Sequence, residues 1–316
     1  MIGLIFFLLA ASLSIWAANA AEEPNAGPHH PDCPTAYARL VQEVPDFDVK
    51  HVKDLIRKHF EAFLEYDEKC FASVSTAKPV TVNFLDNHLI VLLRIIGDEY
   101  SIECSGFRIA QDVIVTAQHC RETAPQQLRV RLFSSPYKDL RLIEKIHPNG
   151  FPPLTDANDF MIYRIEDPGD DYSADQNDFS KSHLRQQAIA VVAVSTLDFT
   201  YILKGDPNRW TEAVRFSRVN SARLFEAKED GLAARPDHCL LHGSPTYPGM
   251  SGAAVVGIWK DENAEGGVKL SIIGIHIRTG RATSRAKITD VNCGNHQMLN
   301  MGIFLPKIVL DMVHNQ

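Results

Sequence analysis

The sequence predicts an all-β protein of two six-stranded antiparallel β-barrels, with a helical extension before them and a C-terminal helix after them. Three observations carry this. Helical periodicity of apolar residues is confined to the two ends of the chain. Between those ends lie short apolar or alternating runs, broken by turn residues at the spacing of all-β folds. An acidic, Ser-containing stretch, 166–182, divides the runs into two successive groups and marks the connection between barrels.

The chain has 316 residues and 45% hydrophobic side chains, enough to bury one large core or two medium ones. The formal net charge of -7 and the pI near 6.0 give no electrostatic basis for nucleic acid or an anionic membrane as a partner, since both demand clustered Lys and Arg. Residues 1–20 read as a signal peptide: an apolar run over 2–13, then the small-residue ending Ala18-Asn19-Ala20, with cleavage expected after Ala20. A secreted or periplasmic destination follows. The segment before the apolar run has no Lys or Arg, so an uncleaved anchor of marginal spanning length is the alternative.

Six cysteines follow the leader, an even number, and export places them where disulfides persist. Several connectivities satisfy six cysteines, and local spacing favours Cys33 with Cys70, Cys104 with Cys120, and Cys239 with Cys293. There is no Cys-x-x-Cys pair to suggest a metal site, and neither a metal nor a cofactor is expected.

In chain order, residues 21–31 are rich in Pro, Gly and acid and read as a flexible mature N-terminus. Helices are predicted over 35–44 and about 48–66. The second places Val52, Leu55, Ile56, Phe60, Phe63 and Leu64 on one face that needs a partner surface. With a Cys33–Cys70 bridge, residues 21–77 would form a compact extension, either a removable propeptide or a permanent brace. The main domain is then 78–316. Its first barrel, about 80–165, has strands at 89–96, 100–109, 113–116, 128–133 and 160–165. Its second, about 187–305, has strands at 188–194, 200–203, 214–219, 239–242, 253–258, 268–277 and 301–305. A closing helix, 306–314, presents Ile308, Val309, Met312 and Val313 on one face.

The chemistry concentrates at three places. Gly249-Met250-Ser251-Gly252 offers a hydroxyl between glycines that allow close backbone approach, with the N–H groups of Gly249 and Ser251 suited to an oxyanion. Alone, such a motif is most often a turn. Upstream, Cys104-Ser105-Gly106-Phe107-Arg108-Ile109-Ala110 leads through Val113-Ile114-Val115 to Thr116-Ala117-Gln118-His119-Cys120, and a Cys104–Cys120 bridge would pin the segment carrying His119. A carboxylate at a strand entry is then needed to fix the imidazole, and Asp159, in Asn158-Asp159-Phe160-Met161-Ile162, fits, with Asp156 in reserve.

This set resembles the chymotrypsin-like (trypsin-like) serine peptidases. The resemblance covers about 80–314 and implies His119 as general base, Asp159 as its orienting carboxylate and Ser251 as nucleophile, in the family's chain order. It implies a secreted serine endopeptidase that works through an acyl-enzyme, with a peptide or protein as substrate. The alternative is a catalytically inactive, protease-like module that binds extended peptides. Met250 stands where the animal digestive enzymes carry Asp, and Thr246-Tyr247-Pro248-Gly249 with Ile273-Gly274-Ile275-His276 resembles the bacterial glutamyl endopeptidase branch. That branch implies Thr246 and His276 as a pocket for a Glu side chain, with His276 binding it best when protonated. The other account of the same residues is that Thr246 caps a turn and His276 packs as a satisfied strand residue. Backbone from Ile277 to Thr279 would pair with an extended substrate. The sequence carries no signal for oligomeric state.

Overall fold

The structure, a computed structural model, describes residues 31–44, 52–73, 79–122, 125–147, 154–180, 188–217, 238–278, 293 and 300–315, apart from 136, 174, 203, 205, 207–208, 210–211, 247 and 264–266. The leader assigned to 1–20 and the stretch 21–30 lie outside the described residues. Among the described residues no helix is long and apolar enough to cross a membrane.

Helix α1 (Cys33–Glu43) starts at a proline, whose fixed φ suits the first turn and whose missing N–H would have had no helical partner. Its buried residues Cys33, Ala36 and Leu40 form one stripe. Two helices, α2 (Val52–Lys58) and α3 (Phe60–Cys70), occupy the region expected to be one helix over 48–66. The break is at His59, whose φ of -122° and ψ of 36° leave the helical region. The disulfide Cys33–Cys70 joins the start of α1 to the end of α3, with its Cα atoms 4.9 Å apart. The chain then runs through β1 (Phe71–Ser73) to α4 (Pro79–His88), neither of which the sequence announces.

The first sheet contains β2 (Leu89–Ile96), β3 (Glu99–Ala110), β4 (Val113–Thr116), β5 (Leu128–Leu132), β6 (Leu142–His147) and β7 (Met161–Ile165), in the order β5-β2-β3-β4-β7-β6 and antiparallel throughout. Val130 and Leu140 exchange two backbone hydrogen bonds of 2.8 Å, which joins β5 to the chain entering β6 and closes the sheet on itself. The unbroken apolar run of β2 has a simple cause. Ile90 and Leu92 fill the interior of this barrel, while Leu89, Val91 and Leu93 face the second sheet, so both faces are dry. Strand β6 escaped sequence analysis because it is a half-exposed edge carrying Glu144 and Lys145.

The second sheet contains β8 (Ala188–Val194), β9 (Val214–Ser217), β10 (Cys239–His242), β11 (Ala254–Lys260), β12 (Val268–Arg278) and β13 (Asn300–Phe304). Its order is β1-β9-β8-β11-β12-β13-β10, so β1 from the extension adds a seventh strand at the β9 edge. The strand expected at 200–203 is not formed. Asp198–Ile202 is a helical turn in which Phe199 N–H bonds the Ser195 carbonyl, the Phe199 ring is fully buried and Asp198 pairs with Arg215. Helix α5 (Lys307–His314) buries Val309, Leu310 and Val313 in the core shared by the two sheets. Two six-stranded antiparallel sheets and a terminal helix thus form the chymotrypsin-like fold expected from the sequence, and the three disulfides are the three that spacing favours.

The connection between sheets is held by charge as well as by apolar contact. Arg108, 1% exposed, makes two 2.7 Å bonds to the Asp170 carboxylate and lies 4.5 Å from the centre of the Tyr172 ring. His88 places one ring nitrogen 3.0 Å from the Arg108 carbonyl and the other 3.1 Å from the Asp178 carboxylate. Ser180 N–H bonds the Ile272 carbonyl, and from there the chain passes to β8.

The extension packs on the outer face of the second sheet. Leu40, Ile56, Phe63 and Phe71 share one core with Ile189, Val191, Leu240 and Ile273. Its backbone is engaged through β1, where Phe71 pairs with Ser217 and Ser73 with Arg215. Buried Asp67 accepts from Arg215 Nε at 3.2 Å. The apolar stripe on the second helical segment therefore has its partner surface. Phe63→Ala should lower stability by about 3–4 kcal/mol in denaturant titration of the intact chain. A loss below about 0.5 kcal/mol would show that α3 does not share the core of the second sheet.

Candidate active site

Strands β4 and β7 are antiparallel neighbours with Thr116 opposite Met161, so residues just after β4 and just before β7 emerge at the same end of the first barrel. His119 follows β4 in the turn Gln118–Glu122, and Asp159 precedes β7 directly after the turn Asp156–Asn158. The Cys104–Cys120 disulfide ties the histidine's turn back to β3. His119 Nδ1 lies 2.9 Å from Asp159 Oδ2 and 3.1 Å from Oδ1, and its backbone N–H donates to Oδ1 at 3.1 Å. A carboxylate only accepts, so Nδ1 carries the proton and Nε2 presents its lone pair. The carboxylate is nearly buried and the imidazole is 27% exposed, so the ring is fixed from behind and open in front.

Asp156 is turned elsewhere. Its Oδ2 accepts from the Cys293 N–H at 2.6 Å and from Arg278 at 3.2 Å, so it joins the first barrel's loop to the second sheet. The carboxylate facing His119 is that of Asp159.

Ser251 lies in the loop before β11. Four consecutive carbonyls of this loop are turned toward protein donors. Pro248 accepts from Thr196 Oγ1 at 2.8 Å, Gly249 from Ser105 Oγ at 2.9 Å, Met250 from Ala253 N–H at 2.9 Å, and Ser251 from Ser105 N–H at 2.9 Å. In a trans peptide the C=O and N–H point in opposite directions, so the inward carbonyls of Pro248 and Met250 turn the N–H groups of Gly249 and Ser251 away from those donors. Gly249 at φ 92° and Gly252 at φ 85° hold backbone that side chains disfavour. A Cβ on Gly252 would also sit 2.7 Å from the Ala117 nitrogen and against Ser105 and Thr116. Met250 is fully buried in the core shared with α3.

The same strand, β3, carries both parts of the site. Ser105 holds the Ser251 loop, while its neighbour Cys104 is bridged to Cys120, and Cys120 Sγ lies 4.0 Å from the Ser251 carbonyl oxygen. The His119–Asp159 pair therefore lies near the Ser251 loop at the seam between the sheets. The Ser251 hydroxyl donates to the Ile277 carbonyl at 3.2 Å. Within its motif Ser105 has no role legible from sequence, because its two bonds run to residues far along the chain.

Beside this loop, β13 lies between β10 and β12, with Gly302 opposite both Leu240 and His276. The register puts His276 and His242 on one face of the sheet, and their rings meet with His276 Nδ1 3.3 Å from His242 Nε2. Burial pushes the His242 imidazole down to about 3, and holds His276 well below the ordinary range, with His242 and then His119 adding to that effect. The pair is therefore neutral, one ring donating to the other, so His276, expected to bind a Glu side chain best when protonated, is uncharged in the protein without substrate. Thr246 Oγ1 is buried without a hydrogen-bond partner, so it caps no turn. The Thr246 N–H and C=O both bond the Tyr66 hydroxyl of α3. Neither His242 nor Tyr66 stands out in the sequence, since His242 ends an apolar run as an ordinary core residue would and Tyr66 lies between the charged residues Glu65 and Asp67 of a helical segment.

Among the described residues, two His and Cys groupings, Cys104 with His119 and Cys120, and His238 with Cys239 and Cys293, have close ligand atoms, but in each the sulfurs form a disulfide and offer no thiolate. The neutral histidine pair has a consequence for stability. Below 6.5 an unfolded histidine binds a proton that buried His242 refuses until about 3, so this contribution is complete above 6.5 and lost as pH falls through that window. Denaturant titrations should show stability falling over this range, with a slope nearer zero by up to one proton in His242→Asn; identical slopes would contradict a neutral buried pair.

A trypsin family model matches residues 86–197, a span that includes His119 and Asp159 and ends before Ser251. No curated protein sequence matches the chain. Among solved structures, the chain is similar to a Glu endopeptidase in complex with MPD, with a TM-score of 0.46, 15% identity, and coverage of 78% of this chain and 95% of that one. It is also similar to neuropsin, a serine protease expressed in the limbic system of mouse brain, with a TM-score of 0.44, 12% identity, and coverage of 73% and 95%. The family match covers the first barrel, the connection between the sheets and β8.

Proposed function

We propose that the protein is an exported serine endopeptidase in which Ser251 is the nucleophile, His119 the general base and Asp159 the carboxylate that orients it. The observation that carries this is the pairing of an Asp159-held imidazole, with its Nε2 lone pair free, beside a serine loop whose inward carbonyls leave the Gly249 and Ser251 N–H groups turned outward. With substrate present, the Ser251 hydroxyl leaves the Ile277 carbonyl and gives its proton to His119 Nε2 as Oγ bonds to the scissile carbonyl carbon. The carbonyl oxygen takes up negative charge against the two N–H groups, and loss of one such donor costs about 3 kcal/mol of transition-state stabilisation. His119 then protonates the leaving amine, and water, deprotonated by the same imidazole, releases the acyl group. The backbone after His276 offers edge hydrogen bonds to an extended peptide. Three disulfides suit an oxidising compartment, in keeping with a cleaved leader and a secreted or periplasmic site.

The pocket favours an acidic side chain at P1. The orphaned Thr246 hydroxyl is a donor without a partner, and a carboxylate that reached it and His276 would raise the imidazole's affinity for a proton. Binding of Glu is then coupled to proton uptake, and KM for a P1-Glu peptide rises with pH, while KM for a P1-Gly peptide does not. His276→Ala should remove that pH dependence together with roughly 10- to 100-fold of any Glu preference. A P1 panel in which Glu has no advantage would end the specificity proposal and leave the catalytic one standing.

A fluorophosphonate probe tests the catalytic assignment. The wild type should be labelled and Ser251→Ala should not. Asp159→Asn should slow peptide hydrolysis by about 10³–10⁴-fold through the wrong imidazole tautomer, and Asp156→Asn should do so by no more than about tenfold. If neither wild type nor Ser251→Ala is labelled while a control protease reacts, the protein is a peptide-binding module.

A further inference from the structure

We infer that Tyr66, in the helical extension, is a positioning residue for the substrate pocket, so that the extension is a permanent part of the active enzyme; this rests on the peptidase assignment above. Tyr66 is 1% exposed. Its hydroxyl donates to the Thr246 carbonyl at 3.0 Å and accepts from the Thr246 N–H at 3.1 Å, across 180 positions of sequence. One oxygen thus holds the peptide planes on both sides of a single residue, which sets the direction of that residue's Cα–Cβ bond. The side chain it aims is Thr246, whose buried hydroxyl has no partner within the protein. Thr246 belongs to no strand, so no ladder fixes it independently.

The Tyr66 ring is itself confined. Phe71 meets it edge-on with ring centres 5.4 Å apart, and Tyr37 lies 5.6 Å away on α1. Met250, next to Ser251, belongs to the same apolar cluster as Phe63 and Tyr66 of α3, and Tyr66 bonds Thr246 directly.

Permanence follows from what removal would expose. The Cys33–Cys70 bridge closes within the extension and does not tether it to the barrels, so a cut after Ser73 would free it covalently, β1 included. Loss would strip β1 from β9, leave Asp198 as the carboxylate for Arg215, and uncover Ile189, Val191, Leu240 and Ile273 on the sheet's outer face. It would also leave the Thr246 N–H and C=O without Tyr66 in a site built to be dry.

The test is Tyr66→Phe in the full mature chain, which keeps the ring and deletes the oxygen. The readout is kcat/KM for the best P1 residue of a peptide panel divided by that for P1 Gly, with KM and kcat resolved. Tyr66→Phe should lower this ratio about tenfold, mainly through KM, with the P1-Gly value kept within about twofold. Phe63→Leu, which loosens the same helix without altering the Thr246 bonds, should lower the melting temperature and keep the ratio. Intact mass of the active enzyme should include residues 33–70. An unchanged ratio in Tyr66→Phe, equal losses in both variants, a wild type with no P1 preference, or an active enzyme lacking 33–70 overturns the inference alone. A wild type unreactive to the fluorophosphonate probe overturns the peptidase assignment and this inference with it.

Discussion

Ser105 of β3 is the point through which the two sheets make one site. Its hydroxyl takes the Gly249 carbonyl and its N–H takes the Ser251 carbonyl, both at 2.9 Å, so a loop of the second sheet is held on a strand of the first. Apolar contact between the sheets is extensive but without direction, and it would tolerate small slides that a reacting centre does not. Two hydrogen bonds from one residue supply the direction. Thr116 Oγ1 in turn bonds the Ser105 carbonyl at 2.7 Å, and Thr116 lies at the end of β4 that leads to His119. The histidine, its disulfide and the serine loop are therefore referenced to the same few residues.

Around that point the polar groups are arranged by what each can donate or accept. Asp159 is buried against His119 and accepts from both the ring and the backbone N–H of that residue. Asp156, three residues earlier, is equally buried but serves as an inter-sheet tie to Arg278 and Cys293. The difference between the two is in direction, since both have charged or N–H partners within reach. His242 and His276 solve burial by neutrality, while His88 sets its two ring nitrogens against a carbonyl and a carboxylate.

Much of this was legible in the sequence where the signal is local. Strands β2, β4, β8 and β10 begin and end where the apolar runs do, because each carries a run of buried apolar residues. Strand β6 was invisible because it is a half-exposed edge carrying Glu144 and Lys145, and β1 because three residues carry no period. The run 200–203 looked like a strand, but the buried Phe199 and the Asp198–Arg215 pair favour a helical turn there, a tertiary effect outside any short window. His119, Asp159 and Ser251 could be named because each sits in a motif whose neighbours matter to its chemistry. Ser105, His242 and Tyr66 could not, since their partners lie 144, 34 and 180 positions away.

The account stands on the claim that charge developing at the seam meets the Gly249 and Ser251 N–H groups, with His119 across from them. The most direct measurement is a crystal structure of the protein after reaction with a peptidyl phosphonate. The account predicts phosphorus bonded to Ser251 Oγ, one phosphoryl oxygen within hydrogen-bond distance of both N–H groups, and His119 Nε2 beside the Ser251 oxygen. Phosphorus on another residue, or a phosphoryl oxygen turned away from both N–H groups, would contradict it.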